Sequence, residues 1–496
     1  MATRPTGVAL ALACLLGGCA VGPDYKTPQA PLGAGYAPDA TVAHTSAAPV
    51  AGGNPQHFVN GLDIPGQWWT LYHSTALNRL IDQALKNSPT LDSAQAALRE
   101  ANENLAAGGG AYFPTVSASL SPEREKINGA LQGLSYNPIF TLYNAQVNVS
   151  YTIDAFGGTR RQVESLQAQA DYQRYSLEAS YLSLTANVVT GAINEASLRE
   201  QIAATEAIVR SEQAQLDIVE RQVQAGAASR ADVLQQQSLL ATEEATLPVL
   251  RSQLVQQRNQ LATYVGAMPA DFHDVDIKLD DLTLPDSLPV SLPSQLVAQR
   301  PDIREYDALL HEATANVGIA TANMLPQITL SGAYGRESLG YGSLFSPSSM
   351  VWSAISSLTQ PIFEGGTLKH KRSAAVAAAQ EAADNYRNTV LAAFQNVSNA
   401  LYALQADADA LQSDAVAERA AADSLTIVQA RFRTGADTYV QVLTAQQNYQ
   451  NALIALVKAR AQRYADTAAL FQALGGGWWN QTASDSKTID SSKGQS

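Results

Sequence analysis

Two stretches of this chain are too long and too free of helix breakers to be anything but extended helix. From Gly158 to Ala225 there is no proline and one internal glycine, roughly 68 residues or ~100 Å as a continuous α-helix. Thr367 to Thr434 repeats that length with neither residue. A helix so long outruns any globular core, so it must pair along its length with other helices. The seam is legible as heptads. Ile202, Val209, Leu216 and Val223 recur at that spacing, and so do Val233, Leu240, Leu247, Leu254 and Leu261. Nearer the C-terminus the pairs Val440/Leu443, Ile454/Val457, Ala461/Tyr464 and Ala468/Phe471 follow the same rule, with Gln447/Gln450 as one polar layer. Pro248 is expected to bend its helix.

The two runs belong to an internal repeat of about 210 residues. Pro89 and Pro114 bracket an apolar-periodic helix, and Pro301 and Pro326 bracket another at the same separation. Phe156-Gly157-Gly158 is echoed by Phe363-Glu364-Gly365-Gly366, and Val223-Gln224-Ala225-Gly226 by Phe432-Arg433-Thr434-Gly435. Each half therefore reads helix, two strands, very long helix, glycine turn, long helix. The predicted organisation is a leader at 1–18, an N-terminal segment at 19–73 and a first repeat at 74–266. A Pro/Asp-rich linker at 267–299, a second repeat at 300–474 and a polar tail at 475–496 complete it.

The strands carry a second constraint. Ala145, Val147, Val149, Tyr151 and Ile153 alternate with Gln146, Asn148, Ser150 and Thr152, a period of two. Val116, Ala118 and Leu120 alternate with Thr115, Ser117 and Ser119, and Ile328 and Leu330 with Thr329 and Ser331; the run from Val351 to Phe363 alternates poorly. One apolar and one polar face suits a membrane barrel with lipid outside and water within, or a soluble sheet with one wet face. Four strands cannot close a barrel, and even about eight leave an interior filled by side chains. An open pore needs several chains, and three would supply twelve strands.

At the N-terminus Arg4 is followed by an apolar run from Gly7 to Leu16 and then by Leu16-Gly17-Gly18-Cys19. The apolar run is too short to span a bilayer, so it reads as a cleaved export signal. Cys after two small residues resembles a lipobox, with Cys19 lipidated as the mature first residue. Cys14 is lost with the signal, so no disulfide can form. Ala20 in place of Asp favours sorting to the outer membrane. No later segment has eighteen consecutive apolar residues, so any membrane crossing falls to strands.

An enzyme should show a site, and the sequence offers none. Six histidines are scattered without metal-ligand spacing, no Gly-Lys dipeptide supplies a phosphate loop, and no Gly-x-Ser-x-Gly elbow occurs. A formal net charge of -13 speaks against nucleic-acid binding. No catalytic residue, metal or cofactor is expected beyond the covalent lipid on Cys19.

The ordered motifs carry a resemblance. Cys19-Ala20-Val21-Gly22-Pro23-Asp24-Tyr25-Lys26-Thr27-Pro28 resembles the mature start of outer-membrane efflux lipoproteins, the TolC-like channels of resistance–nodulation–division pumps. So do Trp68-Trp69 with Leu71-Tyr72, Arg300-Pro301-Asp302-Ile303, Pro361 to Gly366, Arg431 to Gly435, and Leu474-Gly475-Gly476-Gly477-Trp478-Trp479. The resemblance implies a homotrimer with one twelve-stranded barrel in the outer membrane and a tunnel of twelve helices across the periplasm. It implies an equatorial belt built from the linker and chain ends. It also implies that the turns at Gly226 and Gly435 are periplasmic tips, where a periplasmic adaptor protein joined to an inner-membrane pump docks. The expected fold is mainly α with a membrane β-barrel, and the expected function a passive exit channel. Rival readings are a channel for type I protein secretion and a non-conducting periplasmic coiled-coil scaffold.

In that family the helix after the second tip commonly carries Asp where this chain has Val440-Gln441-Val442-Leu443-Thr444. Here Gln441 and Thr444 cannot ionise, while the first-half counterpart Asp232 keeps its charge. The expectation is a hydrophobic and polar gate at Val440 and Leu443, with Tyr439 and Gln447 as packing and hydrogen-bonding partners; the alternative is that Asp232 supplies an anionic ring. Arg160-Arg161 and Lys369-His370-Lys371-Arg372 begin the two long helices. Cations there oppose the helix dipole, and anionic headgroups at the membrane interface, or plain solvation, would compensate them.

Overall fold

The computed structural model describes residues 20–29, 35–36, 43–133, 135–272 and 277–481. Cys19, the leader before it and the tail beyond residue 481 lie outside the described residues. The elements are β1 (His57–Asn60), α1 (Thr75–Asn87), α2 (Pro89–Gly109), β2 (Thr115–Lys126), β3 (Ile139–Ile153), α3 (Gly158–Gln224), α4 (Arg230–Tyr264) and β4 (Ser287–Val290). They continue with α5 (Pro293–Gln299), α6 (Pro301–Ala322), β5 (Gln327–Ser338), β6 (Met350–Thr359), α7 (Thr367–Arg433) and α8 (Tyr439–Ala473). The order α2-β2-β3-α3-α4 recurs as α6-β5-β6-α7-α8. The long helices α3 and α7 are each 67 residues, and α4 and α8 each 35. Pro248 sits inside α4 without ending it. Among the described residues no helix is long and apolar enough to cross a membrane.

Two compact units form, and neither follows the sequence repeat: each takes pieces of both halves. The first comprises Met1–Pro28, Ala97–Gln173 and Glu305–Arg387. Its centre is an antiparallel sheet in the order β2-β3-β5-β6, so β3 and β5 join the halves while β2 and β6 are edges. The register sorts the side chains. Val116, Ala118 and Leu120 lie opposite Val149, Val147 and Ala145; Val147 and Tyr151 lie opposite Tyr334 and Leu330; Tyr334 lies opposite Trp352. Directly paired residues share a face, so these make one apolar face. The other carries Ser117, Ser119, Gln146, Asn148, Ser150, Thr329 and Ser331, and Asn148 Nδ2 donates to Ser119 Oγ at 3.2 Å. The poor alternation of β6 is explained here, because Val351 and Ile355 fall on the polar face and Ser356 on the apolar one. Neither face has a core over it: every residue of β6 is exposed, Trp352 to 72%.

The second unit comprises Gln29–Ala96, Arg174–Arg304 and Asn388–Ser496. Its core gathers the motifs at the chain ends. Trp68 stacks on Phe471 with ring centroids 5.4 Å apart, and Tyr72 Oη donates to the Tyr464 carbonyl at 2.8 Å. Arg300 donates to the Ala473 carbonyl at 2.8 Å and pairs with Asp302 at 2.6 Å. Trp478 Nε1 donates to the Gln299 carbonyl at 2.6 Å. β1 and β4 form a short parallel pair, which ties the N-terminal segment to the linker. At Gly191, in the middle of α3, a Cβ would sit 2.9 Å from Leu261 Cδ2. The Leu261 side chain of α4 packs into the space that the glycine leaves open.

Candidate functional site

The two tip turns are built alike. Gly226 ends α3 with φ 76° and Gly435 ends α7 with φ 77°, conformations that suit glycine. Gly226 donates to the Val223 carbonyl and Ala227 to that of Gln222; Gly435 donates to Phe432 and Ala436 to Arg431. These are the paired bonds that close a helix C-terminus. The next helix then starts on a capping box. Ser229 N and Oγ donate to Asp232 Oδ2 at 2.9 and 2.8 Å, and Thr438 N donates to Gln441 Oε1 at 2.8 Å. Asp232 and Gln441 are therefore structural equivalents, each satisfying an orphan donor at its helix start. A Gln at 441 does that work without charge.

Inside the turns, Val219, Tyr439 and Val442 form a buried cluster against which Ala228, Val233, Val428, Phe432 and Leu443 pack. Tyr439 Oη donates to Gln236 Oε1, and its ring tilts against Phe432 at 5.5 Å. At the start of α8 the expected heptad register is one residue off: Tyr439, Val442 and Gln446 face inward, whereas Val440 is 56% exposed and Gln447 is exposed. From Gln450 onward the expected positions Val457, Ala461, Tyr464, Ala468 and Phe471 are buried. Leu443 is half-buried and packs against the cluster. Val440, Thr444 and Gln447 share one exposed face, within about 60° at 100° per residue. Thr444 Oγ1 bonds back to the Val440 carbonyl at 2.9 Å. No carboxylate stands on that strip.

The basic cluster divides. Arg161 is 3% exposed; it pairs with Asp24 at 2.6 Å and Glu164 at 2.7 Å, and donates to the Val21 carbonyl. It clamps the N-terminal strap and cannot reach a headgroup, which corrects the interface role expected for it. Next to it, Val21 N donates to the Phe156 carbonyl at 3.0 Å, and Tyr25 stacks on His311 at 4.3 Å and donates to Asp307. Arg160 lies 3.5 Å from Asp154, whose oxygens also accept from the amides of Thr159 and Arg160. Asp154 thereby offsets the cations at the start of α3. Lys369 and Lys371 are exposed, and Arg372 reaches Thr321 Oγ1 at 3.2 Å; among the described residues none of the three pairs with a carboxylate. Only this second set, with Arg160, stays open to an anionic surface. Cys19, the expected lipidation position, lies outside the described residues, but Ala20 beside it abuts Gly157.

Sequence reasoning missed Glu212, Gln236 and Gln446. Two are amides in helices full of exposed amides, so composition hides them; only their inward side in the packed helices sets them apart. Among the described residues no group of side chains could hold a metal ion.

The family model for outer membrane efflux protein matches residues 80–267 and 292–476. The pyoverdine export outer membrane protein OpmQ of Pseudomonas putida is 30% identical over 438 residues, covering 87% of this chain and 92% of the relative. The probable efflux pump outer membrane protein TtgC of the same organism is 28% identical, covering 97% and 98%. Among solved structures the outer-membrane channel OprN superposes with a TM-score of 0.84 at 26% identity, covering 93% of this chain and 100% of that one.

Proposed function

The chain belongs to the outer membrane efflux protein family, and from that premise we propose that it is the passive trimeric exit channel of a tripartite pump. It conducts small molecules from a periplasmic adaptor and an inner-membrane pump to the exterior, and it is anchored by a lipid on Cys19. The observation that carries this is the sheet of the first unit. Among the described residues nothing covers its apolar face, and its edges β2 and β6 leave two rows of unpaired backbone groups. In lipid each unpaired group costs several kcal/mol, so the sheet has to close with copies of itself. A second feature supports a ring. Val376, Leu391, Tyr402, Val416 and Ile427 are exposed on α7 and lie within about 80° of one another around the helix, an apolar stripe suited to a neighbouring copy. Energy for transport comes from the pump.

Native mass spectrometry of the detergent-solubilised protein should give three copies as the main species, and reconstitution into planar bilayers should give stepwise conductance. A monomer without conductance would leave only the scaffold reading. Docking of the adaptor depends on the tips. Gly435→Val places a β-branched residue at φ 77°, where an L-residue costs roughly 1–2 kcal/mol. The expected result is loss of export in a pump-competent strain with the trimer intact, read by drug susceptibility and native gels. Unaltered resistance would show that the turn takes no part.

A further inference from the structure

Beside the apolar cluster of Val219, Tyr439 and Val442, α8 also meets α3 and α4 through a set of polar groups whose hydrogen bonds do not close. Gln236 of α4 is fully buried; its Nε2 donates to the Glu212 carbonyl of α3 at 3.0 Å and its Oε1 accepts from Tyr439 of α8. Glu212 is 1% exposed, and its Oε1 accepts from Gln450 Nε2 of α8. Among the described residues its Oε2 has no hydrogen-bond partner, and neither has Gln450 Oε1. Among the described residues no Lys or Arg pairs with Glu212. The charged and titratable groups that face the network are Glu243 and Asp232 from α4 and Tyr439 from α8, while Val428 and Phe432 of α7 add apolar contacts.

A buried carboxylate with one bond, no cation and an acidic neighbour is unfavourable as an anion. The two orphan atoms are both acceptors, and they belong to two groups that already share a bond. One proton on Glu212 Oε2 would satisfy both, because a carboxylic acid and a primary amide form a closed pair of hydrogen bonds. Burial, with the charge of Glu243 adding and the Gln450 bond opposing, pushes the Glu212 carboxyl up to about 7.

We propose that Glu212 is a proton-operated latch that holds α8 against α3 and α4. Protonated, it binds Gln450 through two hydrogen bonds. Ionised, it keeps one and turns a bare oxygen toward Gln450 Oε1, so α8 loosens. Its effect on conduction rests on the channel reading above; the latch itself does not.

The sign follows from linkage. The engaged state binds the proton more tightly than the released, hydrated carboxyl, so engagement is strongest at low pH. It weakens as pH rises from the ordinary value of 4.5 to about 7 and is then constant, with opening rising roughly seventyfold between pH 5 and 8.

The test is amide hydrogen exchange over residues 439–450 of the full-length assembled protein, corrected for its intrinsic pH dependence. The wild type should lose protection between pH 5 and 8. Glu212→Gln, which can pair amide to amide, should stay protected at both pH values. Gln450→Leu, which leaves the α4 contacts in place, should exchange fast at both. A wild type without pH dependence, or the wild-type profile in either variant, would overturn the latch. Bilayer conductance on the same samples is a separate reading. If no sample conducts, the channel assignment falls while the exchange data still decide the latch.

Discussion

Val147→Lys should remove the protein from the outer membrane. Val147 lies near the middle of β3, opposite Ala118 on β2 and Tyr334 on β5, on the apolar face of the sheet. A Lys at the midplane of a membrane barrel costs about 2–4 kcal/mol. In the trimer proposed above it would occur three times, so the assembled barrel would lose roughly 6–12 kcal/mol, comparable to the whole stability of many folded proteins. Asn148→Asp is the matched control. Asn148 occupies the opposite face, where its loss removes one bond to Ser119 and places a charge among hydroxyls and amides. The expected result is no heat-modifiable trimer in the membrane fraction for Val147→Lys and near-normal amounts for Asn148→Asp. Equal insertion of both variants would mean that the faces are assigned the wrong way round, or that the sheet does not meet lipid.

This contrast was legible in the sequence because a period of two is a local property: each residue reports its own face. The long helices were legible for a similar reason, since the absence of proline and glycine can be read without knowing any partner. Their boundaries came out close, α3 at Gly158–Gln224 against the expected Gly158–Ala225. Which residues of α8 face inward was harder. A heptad fixes spacing but not phase, and Val440/Leu443 and Val442/Gln446/Gln450 both fit a helical repeat. The phase was set by what the neighbouring helices present, Gln236 and Glu212 from distant stretches of chain. The burial of Arg161 was invisible for the same reason: its partner Asp24 lies 137 positions away. Asp154 was within reach, being an acidic residue just before a helix start, yet its sequence position alone does not separate a cap from a loop acid.

The gate follows from that phase, and the second large effect is a cation block created by Thr444→Asp. The exposed strip Val440, Thr444 and Gln447 has no ionisable group. Asp232, the alternative source of an anionic ring, has one carboxylate oxygen accepting two bonds from Ser229 in its capping box. Swinging it into an aperture would break the cap, at about 1 kcal/mol per protomer. An aperture lined by this strip would close by apolar and neutral polar contact, and multivalent cations would find no carboxylate on it to bind. In the proposed trimer, Asp at 444 would put three carboxylates around the three-fold axis. Like charges in a narrow, poorly hydrated ring repel strongly, and a bound cation relieves that repulsion. Planar-bilayer current through the wild type should therefore be little changed by divalent or trivalent cations on the periplasmic side. The Thr444→Asp channel should be blocked, with half-block at concentrations at least about tenfold lower. Asp232→Asn keeps an acceptor for Ser229 and should behave as the wild type. Strong block of the wild type that vanishes in Asp232→Asn would place the ring on α4 and displace Thr444 from the constriction.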